Sequence, residues 1–183
     1  MNAYDVAANL KKVGVPDITK LGCVMLDVEP MDVTEYVPEH MEYRTTNPDR
    51  YWIKGRDGGD HLTLLYGLLQ NANTWRKHVD AVMAGWEMPT VVVIEHVDSF
   101  PSTFPDEPYS CIVGKVLVTP AIQEAHDRLS MLPHIDTHWG YKAHVTLAYV
   151  KQEYRQDAID LLEMAFPAGL GVRGLNYGRL SGK

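Results

Sequence analysis

This chain of 183 residues has few cysteines and no long apolar run. Its two cysteines, Cys23 and Cys111, are too few for a disulfide framework, and both lie in apolar segments, which predicts buried, reduced thiols. Apolar runs such as 91–94 are far too short to span a bilayer, and residues 1–10 do not read as a signal peptide. We therefore expect a cytoplasmic protein without a membrane partner.

Basic residues are also in the minority. Lys and Arg number 17 against 24 Asp and Glu, which gives a formal net charge of −7. Proteins that bind long duplexes cluster Lys and Arg along the phosphate backbone, so such a partner is not expected. A small nucleotide held by a few local charges remains compatible, and the acidic balance itself needs no explanation beyond solubility. The length fits one domain over residues 1–183, or two small lobes that share a sheet system.

The chain does contain a repeated pattern, His-(Leu/Val)-Thr-Leu-x-Tyr, at 61–66 and again at 144–149. Leu, Val, Thr and Tyr favour strands, and neither copy contains Gly or Pro. Because residues i and i+2 share one face of a strand, His61 and Thr63 should point the same way, as should His144 and Thr146. The Leu and Tyr residues of each copy should then point the other way, towards a core.

Two such strands can supply the chemistry of phosphodiester cleavage. One imidazole can take the proton of the attacking water or hydroxyl while the other gives a proton to the leaving oxygen. The hydroxyls of Thr63 and Thr146 can donate to the non-bridging phosphate oxygens. His61, Thr63, His144 and Thr146 are therefore the candidate catalytic residues, and the reaction needs no metal and no cofactor.

A simpler interpretation has to be weighed against this one. A single His-x-Thr in a strand is common, and its histidine is usually a surface residue or a hydrogen-bonded core residue. The repeat itself can be a coincidence, or a lobe duplication that kept its shape for packing. The matching Leu and Tyr positions favour the paired catalytic interpretation.

The two His-x-Thr motifs, 83 residues apart (144 − 61), resemble those of the 2H phosphoesterase superfamily. That group includes RNA 2′,3′-cyclic phosphodiesterases (2′-5′ RNA ligase-like proteins), cyclic-nucleotide phosphodiesterases and viral enzymes that destroy oligonucleotide signals, such as anti-CBASS enzymes. Ala143 stands where many members have Pro. Gly58-Gly59-Asp60 replaces the short polar or proline-containing segment that usually precedes the first motif. The resemblance implies an α+β, bilobal, pseudo-twofold fold in which mainly antiparallel sheets line a central groove and helices lie outside.

The patterning along the chain agrees with alternating strands and helices. Residues 29–60 read as irregular, with a short strand near 51–54, and 99–108 as a loop because it holds three prolines. Asn73 is a candidate cap for the second helix, and Pro120 for the first turn of the third. The predicted strands are 22–28, 61–66, 90–97, 109–118, 144–149 and 172–179, and the predicted helices are 4–12, 74–84, 120–131 and 155–166.

Residues near the motifs are candidates for holding the substrate. Arg56 and Lys142 each precede a motif histidine and can meet a phosphate, as can Lys54. Trp139 and Tyr141 come just before the second motif and can stack a nucleobase. Strand alternation, however, places Tyr141 on the opposite face of the strand from His144. The structural alternative for each is an exposed loop charge or a packing aromatic.

His134 and His138 have a spacing that resembles half a zinc site when it occurs on a helix. Pro133 and Gly140 bracket the pair and the residues between are poor helix formers, so we predict no metal site there.

Three functions fit these observations. The leading one is a metal-independent phosphodiesterase acting on a nucleotide or short, possibly cyclic, oligonucleotide; a viral member would act in the host cytoplasm. The alternatives are a module that sequesters a nucleotide signal without cleavage, and an RNA end-joining enzyme that runs the same chemistry in reverse. The patterns leave open which histidine is the acid, the base specificity and the oligomeric state.

Overall fold

The computed structural model describes residues 21–56, 60–69, 74–136 and 140–179, so the predicted helix at 4–12 lies outside it. Three short 3-10 turns cover Glu39–Met41, Pro48–Arg50 and Gln152–Tyr154. The helices are α1 (Arg76–Val82), α2 (Pro120–Leu129) and α3 (Arg155–Glu163). The strands are β1 (Gly22–Val28), β2 (His61–Leu68), β3 (Val91–Pro101), β4 (Tyr109–Val116), β5 (His144–Lys151) and β6 (Ala168–Arg179).

The strands form one six-stranded sheet in the order β2-β1-β6-β3-β4-β5, and all of these neighbours pair antiparallel. The two halves of β6 pair differently: its first residues bond to β3 and its remainder to β1. Counted from each edge, the order is β2-β1-β6 in one half and β5-β4-β3 in the other. The edge strands β2 and β5 also contact each other, so the sheet curves until the two motif strands meet. The prediction of an α+β fold with antiparallel sheets is confirmed.

Two of the helices cover the apolar face of the sheet. Helix α2 lies on β2 and buries Ile122, Ala125 and Leu129; the hydroxyl of Thr119 caps its N-terminus by accepting from Ile122 N at 3.4 Å. Helix α3 lies on β3 and β4 and buries Ala158 and Leu162. Each fully buried Leu or Ile stabilises the fold by about 1.5–3 kcal/mol relative to an exposed one. In the described part of the chain, none of the three helices is long and apolar enough to cross a membrane.

Several predicted boundaries were wrong. Strand β3 runs into the predicted loop as far as Pro101, because Phe100 and Pro101 still pair with Cys111 and Ser110. Strand β6 begins four residues before the predicted start, in a glycine-containing stretch that lacks a strand pattern but pairs with β3. The expected strand at 51–54 is reduced to one bridge between Arg44 and Lys54. All three helices are shorter than predicted: 76–82, 120–129 and 155–163.

Candidate active site

The two motif strands present their histidines and threonines on equivalent faces. On β2, His61 lies opposite Asp27 and Thr63 opposite Met25 of β1. On β5, His144 lies opposite Lys115 and Thr146 opposite Val113 of β4. Residues directly opposite in an antiparallel pair share a face, so each lobe presents a histidine, a threonine and one charged neighbour together. The Leu and Val residues between them are fully buried on the other face, as predicted: Leu62, Leu64, Val145 and Leu147.

The tyrosine of each motif does not point to the main core, and that prediction was wrong. Register shifts leave Leu64 and Leu147 as extra residues in their strands, which is the arrangement of a β-bulge. The extra residue reverses the alternation, so Tyr66 pairs with Cys23 and joins the His61–Thr63 face. Tyr149 likewise pairs with Cys111 and packs against a small separate cluster rather than the main core. Two adjacent apolar residues before each tyrosine were the available sequence signal.

The strands that support the motifs repeat as well. Cys23, Met25 and Asp27 of β1 occupy the positions that Cys111, Val113 and Lys115 occupy on β4. The first two positions match in character. The third does not, because a carboxylate lies beside His61 and an ammonium beside His144.

Each motif histidine uses its Nδ1 atom to contact an acceptor. His61 Nδ1 lies 2.6 Å from Asp60 Oδ1, and His144 Nδ1 lies 2.6 Å from the carbonyl oxygen of Lys142. A carboxylate and a carbonyl can only accept, so both rings carry the proton on Nδ1, and proton exchange with a substrate falls to Nε2. The hydrogen bond from His61 is the main reason that the pKa of Asp60 is lowered, which keeps that carboxyl ionised near neutral pH.

The surroundings of the two histidines differ in chemistry. Beside His61, the Asp27 carboxylate accepts from the side-chain amide of Asn176 at 3.0 Å. Beside His144, the ring of Phe100 lies edge-on with ring centroids 5.0 Å apart. The Lys115 ammonium lies 5.0 Å from the centroid of Phe100.

Tyr141 connects the two motif strands. Its hydroxyl donates to the Thr63 carbonyl at 3.0 Å, and its ring stacks on His126 at 4.1 Å with 10° between the planes. Burial holds the pKa of Tyr141 well above its usual value, so the hydroxyl stays a donor. One ring face is thus occupied by His126, which in turn contacts the Leu64 carbonyl through Nδ1 at 2.8 Å. The prediction that Tyr141 stacks a nucleobase stays a prediction.

The other predicted substrate ligands are scattered. Arg56 lies outside the edge of β5, bridged to Ala148, and its Nε is 2.5 Å from the Glu42 carboxylate, whose side chain is 2% exposed. Arg44 contacts the same carboxylate at 2.7 Å. The buried pairing gives Arg56 a structural partner; its contact with a phosphate stays a prediction. Lys142 is exposed, and Trp139 lies outside the described residues.

A close backbone approach joins the end of β2 to the segment before β5. Gly67 has a φ of +100°, and its carbonyl accepts from Ile135 N at 2.9 Å. A β-carbon at Gly67 would collide with the Ile135 carbonyl oxygen. Glycine is therefore required here by both conformation and space.

The suggested half of a zinc site is not assembled in the described residues. His134 contacts the Leu132 carbonyl through Nδ1 at 2.8 Å and Asp136 through Nε2 at 3.2 Å. His138 lies outside the described residues. Among those described, no group of three or more His, Cys, Asp or Glu is arranged to hold a metal ion.

Two surface cavities are lined by none of the motif histidines and threonines. One of about 290 Å³ is lined by residues between 44 and 54, and one of about 620 Å³ by residues between 99 and 110 with Gln152 and Arg155. The paired histidines, rather than cavity size, therefore define the candidate site.

Comparison with known proteins places the fold. No protein-family model matches the chain, and no curated protein matches its sequence. A solved structure, that of Kluyveromyces marxianus Usb1, superposes with a TM-score of 0.54 at 10% identity, covering 91% of this chain and 97% of that one. The chain therefore has an α+β fold like that of Usb1. At this identity the likeness concerns the fold, so residue roles depend on the geometry described above.

Proposed function

We propose that this chain is a metal-independent phosphodiesterase that cleaves a phosphodiester in a nucleotide or short oligonucleotide. The observation that carries the proposal is the pairing of two His-x-Thr motifs on edge strands that contact each other, with Nδ1 of each histidine on an acceptor. A lobe duplication kept only for packing does not require two imidazoles oriented in the same way. The Usb1-like fold supports the same class of enzyme.

In the proposed reaction a phosphate lies between the two lobes. One histidine removes a proton from the attacking water or ribose hydroxyl, and a bond forms from that oxygen to phosphorus. The other histidine protonates the leaving oxygen as its bond to phosphorus breaks. Thr63 and Thr146 donate hydrogen bonds to the non-bridging oxygens, where negative charge is concentrated. The substrates that fit are a terminal 2′,3′-cyclic phosphate, a 2′-5′ linkage or a cyclic oligonucleotide.

The charges around the two rings suggest how the roles divide. His61 has the Asp60 carboxylate on Nδ1 and Asp27 opposite in register, and both favour a positively charged ring. His144 has a neutral carbonyl on Nδ1 and Lys115 opposite, which favours a neutral ring. We therefore assign His61 as the acid and His144 as the base in the first proton transfers.

The test is a substrate panel incubated with purified protein in EDTA. It contains 2′,3′-cyclic mononucleotides, 2′-5′ and 3′-5′ dinucleotides, RNA with a cyclic-phosphate end, and cyclic di- and trinucleotides. Cleavage of at least one member supports the proposal and identifies the substrate class. Binding of a panel member without turnover contradicts it and favours a sequestering module.

A further inference from the structure

A mismatch of charge between the two lobes lies beside the proposed catalytic pair. Asp27 and Lys115 occupy equivalent register positions, opposite His61 and His144. Both side chains are half-buried on the motif face. One lobe therefore places a carboxylate beside its motif histidine, and the other places an ammonium there, with the Asp98 carboxylate next to it.

Lys115 is weakly engaged by the protein itself. Its ammonium lies 3.7 Å from Asp98 Oδ2, a long contact to a side chain that is 50% exposed, and Asp98 already accepts from Ser99 N through Oδ1 at 2.7 Å. A long contact to a half-exposed carboxylate contributes little to stability. A lysine on a flexible stem at this position is suited to exchange Asp98 for a phosphate.

Phe100 adds an aromatic surface next to this cation. It is half-exposed, stands edge-on to His144 and lies beneath the Lys115 ammonium. Every nucleobase has a π-face, so an exposed ring beside the reacting phosphate can stack a base without selecting its sequence. The three prolines within 99–108 masked this residue in the sequence, where the segment reads as a loop.

The side of the site next to His61 would repel a phosphate. Asp27 and Asn176 form a hydrogen-bonded pair there, and together they present carboxylate and amide oxygens. Such groups accept from ribose hydroxyls or base amines and disfavour a second anion. A substrate with two phosphates is thus oriented with its second phosphate towards Lys115 and away from Asp27.

We propose that Lys115 and Phe100 form a binding subsite for the nucleotide next to the scissile phosphate, with Lys115 on its phosphate and Phe100 against its base. The proposal rests on the proposed function and makes the preferred substrate an oligonucleotide with at least two phosphates, linear or cyclic, rather than a cyclic mononucleotide. Asp27 and Asn176 accept hydrogen bonds from the other end of the substrate.

The test uses one dinucleotide of the linkage that the wild type cleaves, in three forms: without a terminal phosphate, with a 5′-phosphate and with a 3′-phosphate. In the wild type, one terminal phosphate should raise kcat/KM about tenfold, as expected for one added ion pair at a partly desolvated site. Lys115→Gln should reduce that advantage to less than about twofold. The control Lys77→Gln removes an exposed lysine of α1 and should keep the full advantage. Phe100→Leu should lower kcat/KM for all three forms.

Cleavage by the wild type with no advantage from either phosphate would overturn the subsite while leaving the phosphodiesterase intact. An advantage that persists in Lys115→Gln would overturn it too. If the wild type cleaves no member of the substrate panel, the proposed function fails, and the same comparison is made by calorimetric binding of the three forms of a 3′-5′ dinucleotide. Tighter binding of a phosphorylated form that is lost in Lys115→Gln supports the subsite, and equal binding of all three overturns it.

Discussion

The Nδ1 atom of His61 lies 2.6 Å from Oδ1 of Asp60, the residue immediately before it. In the other lobe the same ring atom of His144 contacts a backbone carbonyl instead. A charged partner stabilises an imidazolium more than a neutral one does, so the two histidines of a nearly symmetric site are not equivalent. We therefore expect Asp60 to act through His61 as a positioning residue.

The first prediction concerns Asp60→Asn. The amide can still accept the hydrogen bond but carries no charge, so kcat should fall about 10- to 100-fold with little change in KM. The basic limb of the pH–rate profile should move to lower pH, because the acidic form of His61 loses its counter-charge. Asp60→Glu, with the charge restored, should recover part of the activity. An unchanged pH profile in Asp60→Asn would contradict the role.

The same carboxyl has a defined effect on stability. Its pKa is lowered in the folded chain, chiefly by the hydrogen bond from His61, so its contribution is present above the ordinary carboxyl pKa and is lost as pH falls through the lowered value. Asp60 is exposed, so Asp60→Asn should change the free energy of unfolding at pH 7 by less than about 0.5 kcal/mol. Loss of activity in this variant therefore cannot be attributed to unfolding.

The second prediction separates two roles of Tyr141. Tyr141→Phe removes the hydrogen bond to the Thr63 carbonyl but keeps the ring, and should lower the free energy of unfolding by about 1–2 kcal/mol because a partly buried acceptor loses its donor. If the ring also stacks a base, KM should change little in Tyr141→Phe and rise in Tyr141→Leu. Equal KM values for both variants would contradict base stacking. Denaturant unfolding and steady-state kinetics supply the two measurements.

The third prediction compares two glycines with positive φ. Gly67 has a φ of +100° and a β-carbon there would meet the Ile135 carbonyl oxygen, whereas Gly85 has a φ of +72° and open space around it. Gly85→Ala should therefore cost about 1 kcal/mol, from backbone conformation alone. Gly67→Ala should cost at least about 2 kcal/mol more, because the segment before β5 must move. If urea unfolding gives the same loss of unfolding free energy for both variants, the contact between Gly67 and the Ile135 carbonyl is not tight.

The fourth prediction concerns the Cys23 thiol. Burial raises its pKa to about 11, so the nucleophilic thiolate is scarce at pH 8. Cys23 should stay unlabelled by iodoacetamide in the native protein and react in denaturant, as read by peptide mass spectrometry. Because the folded pKa is raised, its contribution to stability is present below the ordinary thiol pKa and is lost as pH rises towards 11. Rapid native labelling of Cys23 at pH 8 would contradict its burial.

Local sequence patterns correctly predicted the features of the site that depend only on residues close together in the chain. Strand β1 was predicted at its observed bounds, and the alternation within each motif correctly paired His61 with Thr63 and His144 with Thr146. The tyrosines were misplaced because a bulge shifts register without a strong signal of its own. Asp27, Phe100 and Lys115 were missed because their proximity to the histidines depends on pairing between strands, which is non-local in sequence.

The central claim, that His61 and His144 are the acid and the base of one reaction, is tested most directly by kcat/KM of four proteins on the cleaved substrate in EDTA. These are the wild type, His61→Ala, His144→Ala and the control His78→Ala, which alters an exposed histidine of α1. Each motif variant should lose about 10²- to 10⁴-fold with its thermal unfolding preserved, and the control should match the wild type. Thr63→Ala and Thr146→Ala should cost less, about 2–4 kcal/mol in the barrier at most. Wild-type turnover in His61→Ala or in His144→Ala would contradict the claim.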